Sequence, residues 1–178
     1  MTNVDLFNNK IIDLIDYITN TSVKPYDLSR YLLLSTFDFI APESVYIAKI
    51  NHEGQMSPVD GFGFDLNKYR EYLNFPIGCE LPICECIKNG EANLVPNLEY
   101  WYQNYAKYFE LEKIGKWQSI IAFPIRKNNL SIGAVTVMGT KTFDVNDALI
   151  NFVRTISSLV TLQISRIPDG SFGSIEFN

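Results

Sequence analysis

Histidine is almost missing from this chain: His52 is the only one in 178 residues. Sites that hold a metal through several imidazoles are therefore excluded, and histidine-based acid–base chemistry has one residue to draw on. Cysteine is scarce too. Three residues, an odd number, do not build the paired disulfide framework of a small secreted domain. A surplus of positive charge is also lacking. Fifteen Lys and Arg stand against twenty Asp and Glu, for a net charge of −5. That speaks against direct nucleic-acid binding by this chain, because neutralising phosphates takes clustered cations. Uncharged runs such as 128–140 fall short of the ~20 apolar residues that cross a bilayer, so no membrane partner is expected. The first residues show no basic stretch followed by an apolar one, so no secretory signal is read there. The simplest location is the cytoplasm.

What is present is a globular composition, 47% hydrophobic and 20% charged, of a length that suits one domain. No internal repeat or low-complexity block interrupts it. Phe7, Ile11, Leu14, Ile15 and Ile18 recur at helical spacing, with Asn8, Lys10, Asp13 and Asp16 between them. Polar residues from Asn20 to Ser22 break this helix. Pro25 suits the first turn of a second one, with Leu28, Leu32 and Phe39 on one face and Pro42 as its stop. Residues 45–50 are rich in β-formers, 51–54 read as a turn, and a partner strand starts near Gln55. Leu66, Tyr69 and Leu73 fit a short helix ending before Pro76. Residues 81–88 fit another, stopped by Asn89 and Gly90. A short strand at 93–95 precedes Pro96. Two longer strands, 119–125 and 130–138, flank the polar turn 126–129. Asp144 is placed to cap a long closing helix, with Asp147 in its first turn. Leu149, Phe152, Val153, Ile156, Leu159, Val160 and Ile164 form its apolar stripe. Residues 168–178 read as a linker or tail, which leaves 1–167 as a single domain. Strands joined by tight turns make an antiparallel sheet, and helices must cover it, an α+β arrangement.

Three features carry chemistry. Cys79, Cys84 and Cys86 are spaced C-x4-C-x-C. Thiolates at such spacing could serve a soft metal or a redox switch. No fourth cysteine completes a zinc or iron–sulfur set, and helical geometry points Cys84 and Cys86 about 200° apart. We expect the three to be structural or incidentally reactive, with no metal site. Second, seven of the eighteen residues in 100–117 are aromatic, including both tryptophans. Trp101, Tyr105, Tyr108 and Phe109 share one helical face. Such rings either fill a core or line a pocket, and buried Trp and Tyr need polar partners. Third, the apolar stripes on the first and last helices, with Ile11 and Ile156 among them, offer surface for a second copy of the chain.

Several stretches together resemble the GAF family of sensory domains. Residues 87–97, a helix end, Gly90-Glu91, the strand at 93–95 and the turn residue Asn97, resemble one family segment. The hairpin in which Pro124 follows an apolar strand and Ile132-Gly133 opens the next resembles its signature. Phe143 and Asp147 before a long amphipathic helix resemble its closing segment. The resemblance spans roughly 28–164. It implies an antiparallel sheet of about five or six strands, with helices on one side and a small-molecule pocket on the other. It places Trp101, Tyr105, Phe109 and Trp117 where the family lids that pocket, beside Ser119, and these five are the expected ligand-binding residues.

The family spans several functions, which the residues narrow. Bilin-binding members carry a Cys-His pair that is absent here. Cyclic-nucleotide members carry an Asn-Lys pair and Phe-x3-Asp-Glu; here the positions hold Thr140-Lys141 and Phe143-x3-Asp147-Ala148. One enzymatic branch reduces free methionine sulfoxide through cysteine thiols. Cys84 lies near one of its cysteine positions, but its catalytic thiol, expected in 109–119, has no counterpart. The expectation is a cytoplasmic, non-enzymatic, small-molecule-binding sensor domain that forms a homodimer through its terminal helices. It would be the input module of a longer bacterial regulator with a DNA-binding output. The alternatives are a methionine sulfoxide reductase-like enzyme and a module that only dimerises. Neither ligand nor cofactor is identified by the residues.

Overall fold

In the computed structural model, residues 3–19, 25–63, 75–105 and 117–165 are described. The expected helix over 66–73, Tyr108, Phe109 and the tail 168–178 lie outside these residues. The described elements run α1 (Asn3–Thr19), α2 (Pro25–Tyr31), β1 (Pro42–Ile50), β2 (Gln55–Phe62), β3 (Phe75–Pro76), α3 (Pro82–Asn89), β4 (Asn93–Val95), α4 (Leu98–Tyr105), β5 (Ser119–Lys127), β6 (Leu130–Gly139) and α5 (Asp147–Ser165).

The strands form one six-stranded sheet in the order β3-β2-β1-β6-β5-β4, with every neighbouring pair antiparallel. This is the expected α+β architecture. Both hairpins form where the sequence places them. Asn128 (φ 51°) and Asn129 (φ 65°) take left-handed conformations between β5 and β6, as a two-residue turn matched to strand twist requires. In the β1–β2 turn, Asn51 Oδ1 accepts the N–H groups of Glu53 (2.9 Å) and Gln55 (3.0 Å), and Gly54 supplies a φ of 71°. His52 sits in this turn with its side chain 91% exposed.

The central strands β1, β6 and β5 are buried on both faces, which divides the core in two. Val45, Ile47, Ile121, Phe123, Ile125, Val135 and Val137 face one way, against α1, α2 and α5. Stacked rings of Phe7 and Phe152, 4.6 Å apart, join α1 to α5 there. Tyr46, Ala48, Ile120, Ala122, Ala134 and Met138 face the other way, against α3 and α4. Lys10 is buried at 8% exposure on α1. Its Nζ donates to Ser35 O (2.7 Å) and pairs with Asp38 (2.5 Å), which ties α1 to the segment before β1.

Three expectations change. The second helix does not run to Pro42. It ends at Tyr31, widens into a π turn over Leu32–Thr36 and closes with a 3-10 turn at Asp38–Ile40. The wider turn, with Phe37 N–H bonded to Leu32 O at 3.0 Å, lets Leu32, Leu33, Thr36 and Phe37 all be buried. Ala41 then takes a left-handed conformation (φ 44°), and Pro42 opens β1. The cap of α5 is Asn146, whose Oδ1 accepts Leu149 N–H at 2.9 Å; Asp144 lies outside the helix and is exposed. Finally, Ile156 is fully buried in the chain's own core. The α5 stripe is consumed by β5 and α1. The helix is long and apolar enough to cross a membrane by composition alone, yet that stripe packs inside the protein.

Asp60 on β2 is 7% exposed. It accepts the N–H groups of Gly61 (2.8 Å) and Ser29 (3.4 Å). Burial pushes its carboxyl up to about 6, against these hydrogen bonds, with Asp27 adding repulsion. A carboxyl raised above its unfolded value favours the folded state most when protonated, and that contribution is lost as pH rises through the folded value. Asp60→Asn should therefore gain thermal stability relative to the parent between about pH 4 and pH 6, by a total on the order of 3 kcal/mol, and hold that gain at higher pH. Melting curves of both proteins from pH 4 to pH 8 check this.

Candidate ligand-binding site

The sheet face under α3 and α4 differs from its opposite in the size of its side chains. Strand register sets Tyr46, Thr136, Ala122 and Asn93 in one row across β1, β6, β5 and β4. The adjacent row holds Ala48, Ala134 and Pro124. Three fully buried alanines, Ala48, Ala122 and Ala134, thus form a low floor. Tyr46, Met56, Ile120 and Met138 stand around it. The opposite face carries Val, Ile and Phe at the alternate positions.

Two short helices wall this face. α3 opens with Pro82 and ends at Gly90, whose φ of 67° gives the chain its left-handed exit. It contributes Ile83, Cys84, Cys86 and Ile87. α4 is capped by Asn97, whose Oδ1 accepts Tyr100 N–H at 2.8 Å, and contributes Trp101 and Tyr105. A polar knot ties the walls to the floor. Tyr105 Oη donates to Glu85 Oε2 (2.5 Å), and Asn93 Nδ2 donates to both that oxygen (2.7 Å) and Tyr105 Oη (2.7 Å). Burial first, and the Glu85 carboxylate second, push the Tyr105 phenol above its ordinary range, so the hydroxyl stays protonated and donates.

Of the five expected ligand-binding residues, Trp101 and Tyr105 lie side by side on this face, ring centroids 6.0 Å apart, at 9% and 3% exposure. Trp117 is partly buried against the same cluster. The Ser119 hydroxyl donates to Lys141 O at 2.6 Å, fastening the start of β5 to the segment after β6. Phe109 lies outside the described residues.

Among the described residues, two buried polar atoms here have no hydrogen-bond partner: Trp101 Nε1 and Thr136 Oγ1, the latter on the central strand of the floor at 8% exposure. Ser44 Oγ, two positions from Tyr46 on β1, is a third. An unpaired buried donor or acceptor costs ~1–3 kcal/mol, so native proteins keep few of them, and those kept call for a reason. The sequence pattern did not single out Thr136 or Ser44, since a lone Thr or Ser in a strand is ordinary.

A separate cleft of about 460 Å³ lies at the β4 edge of the sheet, lined by Asn93, Tyr100, Arg126, Arg154 and Ser157 among others. The Arg126 guanidinium donates to Gly90 O and Asn129 O, both at 3.2 Å, and the Ser157 hydroxyl to Pro124 O at 2.6 Å. Among the described residues, Trp101, Tyr105, Trp117 and Ser119 do not line this cleft. Among the described residues no three His, Cys, Asp or Glu side chains converge to hold a metal ion.

Neither a protein-family profile nor a curated protein sequence matches the chain. Solved structures do. The GAF domain from a phosphoenolpyruvate-protein phosphotransferase of Coxiella burnetii superposes with a TM-score of 0.73 at 10% identity, over 93% of this chain and 96% of that one. The nlh2 GAF domain of A. aeolicus, in an inactive state, gives 0.63 at 19% identity, over 90% and 98%. The free methionine-R-sulfoxide reductase of Neisseria meningitidis, in complex with its substrate, gives 0.69 at 9% identity, over 93% and 92%. The fold is that of GAF domains. It is an architecture shared by these GAF domains and by a reductase, and identities this low carry the fold alone.

The unpaired hydroxyl makes a direct prediction about the free protein. Thr136→Val keeps the shape and removes an unsatisfied group, so it should leave the melting temperature unchanged or raise it, by up to ~1 kcal/mol of stability. Loss of more than that in chemical denaturation would mean that the hydroxyl already has a partner.

Proposed function

We propose that this chain is a non-enzymatic, small-molecule-binding sensory domain, the cytoplasmic input module of a longer bacterial regulator, and that its ligand lies on the sheet face beneath α3 and α4. One observation carries the reading. Trp101 Nε1–H and Thr136 Oγ1 are buried and unpaired on a face whose floor is built of alanines. A ligand with an acceptor for the indole and a polar group for the hydroxyl would satisfy both. The side chains clustered on this face are uncharged, and the nearby Glu85 is held by Tyr105 and Asn93. A neutral or weakly polar ligand fits these surroundings better than a polyphosphate.

The non-enzymatic half of the proposal rests on nucleophiles. The only histidine is in an exposed turn, and 109–119, where the reductase branch carries its catalytic thiol, holds no cysteine. Thermal-shift screening against a neutral-metabolite panel should find at least one compound that stabilises the parent. The same compound should bind Thr136→Val and Trp101→Phe at least ten-fold more weakly, although both variants fold. In the same preparations, free methionine sulfoxide with dithiothreitol should show no turnover; turnover would favour the reductase reading.

A homodimer through the terminal helices is the second part of the proposal. Its basis is not the buried α5 stripe but an uncharged strip beside it. Val4, Ile12 and Ile15 of α1 and Leu162 of α5 are 53%, 55%, 38% and 55% exposed. The groove between the helices, lined by Val4, Phe7, Asn8, Ile11, Ala148, Asn151, Phe152 and Thr155, has a volume of about 290 Å³ and no charged side chain among the described residues. A two-fold pairing needs one self-complementary patch, and an uncharged apolar strip meets its own copy without repulsion. Ile12→Glu combined with Leu162→Glu should leave the melting temperature near that of the parent and give a monomer in sedimentation. A parent that stays monomeric at high concentration would refute the pairing.

A further inference from the structure

Cys79 and Cys84 are brought together by a turn that the spacing of the cysteines alone does not reveal. Residues 77–81 link β3 to α3 and fold back on the end of β3. Cys79 N–H donates to Pro76 O at 3.1 Å. The Cys84 thiol, in the first turn of α3, donates to the same oxygen at 3.7 Å. The Cys79 sulfur lies within reach of the same Cys84 S–H. Cys86 stands apart: its Sγ donates to Ile83 O at 3.1 Å and the residue is 1% exposed. The three cysteines are thus a contacting pair and a buried single residue, all free thiols.

The pair is asymmetric. Cys79 is partly exposed, whereas Cys84 is fully buried. When Cys79 ionises, the Cys84 S–H turned towards it from Pro76 O holds the Cys79 thiol below its ordinary range, outweighing partial burial, with the Leu81 backbone and the Lys88 charge acting in the same direction. Cys84 is pushed the opposite way, by Cys79 first and burial second. A reachable sulfur that ionises readily therefore lies against a buried sulfur that keeps its proton. That is the division of labour between an attacking and a resolving thiol. Disulfide formation needs the two sulfurs to close from hydrogen-bond contact to bonding distance. The irregular backbone of 77–81 carries one of them, so neither helix nor strand has to break.

We propose that Cys79 and Cys84 are a peroxide-sensitive dithiol that closes to a reversible intramolecular disulfide. The Cys79 thiolate attacks one oxygen of a hydroperoxide and the O–O bond breaks. The departing oxygen takes a proton from solvent and leaves as water or an alcohol, and Cys79 becomes a sulfenic acid. Cys84 sulfur then attacks Cys79 sulfur; its proton and the sulfenic hydroxyl leave as water, and the S–S bond forms. Two electrons pass from the dithiol to the peroxide, and a dithiol reductant returns them. Oxidation removes the Cys84 S–H bond to Pro76 O in the turn before Glu85. The modification stands whether or not the neighbouring sheet face binds a ligand.

The test uses the purified full chain and hydrogen peroxide at neutral pH. Remaining thiols are blocked with N-ethylmaleimide, and the peptide holding all three cysteines is fragmented by mass spectrometry. The expected result is loss of two of the three alkylatable thiols, recovered with dithiothreitol, with the bond between Cys79 and Cys84 and the label on Cys86. Cys84→Ser should halt at a Cys79 sulfenic acid that dimedone captures, and Cys79→Ser should keep both remaining thiols. Three alkylatable thiols after excess peroxide would overturn the proposal, as would a disulfide through Cys86 or one between chains. The parent measurement stands alone if a variant fails to fold.

Discussion

Burial of β1, β6 and β5 on both faces is the constraint from which the rest of the structure follows. Each of these strands sends alternate side chains into two different cores, so a one-residue slip would exchange the contents of both. Large residues, Val135, Val137, Ile121 and Phe123, meet α1 and α5; small ones, Ala134, Ala122 and Ala48, meet α3 and α4. Gly133 helps to hold the register. A Cβ there would lie 2.3 Å from Ala48 O, so β1 and β6 approach as they do only because that position is bare.

The same asymmetry separates a filled core from the face proposed to hold a ligand. The α1–α5 side is filled with rings and branched side chains, and Lys10 with Asp38 anchors its border. The α3–α4 side has an alanine floor, walls of two short helices, and the knot of Glu85, Asn93 and Tyr105 holding those walls at a set height. The Cys79–Cys84 pair sits at the base of the α3 wall, at the point where the chain enters that helix. Both proposals, chemistry at the pair and occupancy of the face, would act on the same short segment, through Glu85 one residue from Cys84.

Much of the fold was legible because its signals are local. Both hairpins announce themselves through β-rich runs around Asn-containing turns, and α5 through its seven-residue stripe. The rings of Trp101 and Tyr105 were visible by density, and their burial together on one face agrees with a helix that turns both inward. Other features arise only from packing. The π turn after Tyr31 exists to bury Leu32, Leu33 and Phe37 together, which no local preference encodes. Asn146 rather than Asp144 caps α5 because the helix starts three residues later than its acidic signal. The α5 stripe does not show from sequence whether its partner is the chain's own sheet or another molecule; Ile156 at 0% exposure answers for the sheet. Thr136 matters only because register places it between Tyr46 and Ala122 on a face where nothing bonds it. The cysteine spacing left open which two thiols a redox switch would use, because helical spacing relates Cys84 to Cys86, while Cys79 arrives from a turn outside the helix.

The central claim is that the face beneath α3 and α4 is completed by something other than the chain itself. A crystal structure of the purified protein, at a resolution that shows ordered water, tests it most directly. The account predicts a bound molecule or ordered water within hydrogen-bond distance of Thr136 Oγ1 and Trp101 Nε1. Both atoms paired to protein groups, with side chains packed solidly over Ala48, Ala122 and Ala134, would contradict it.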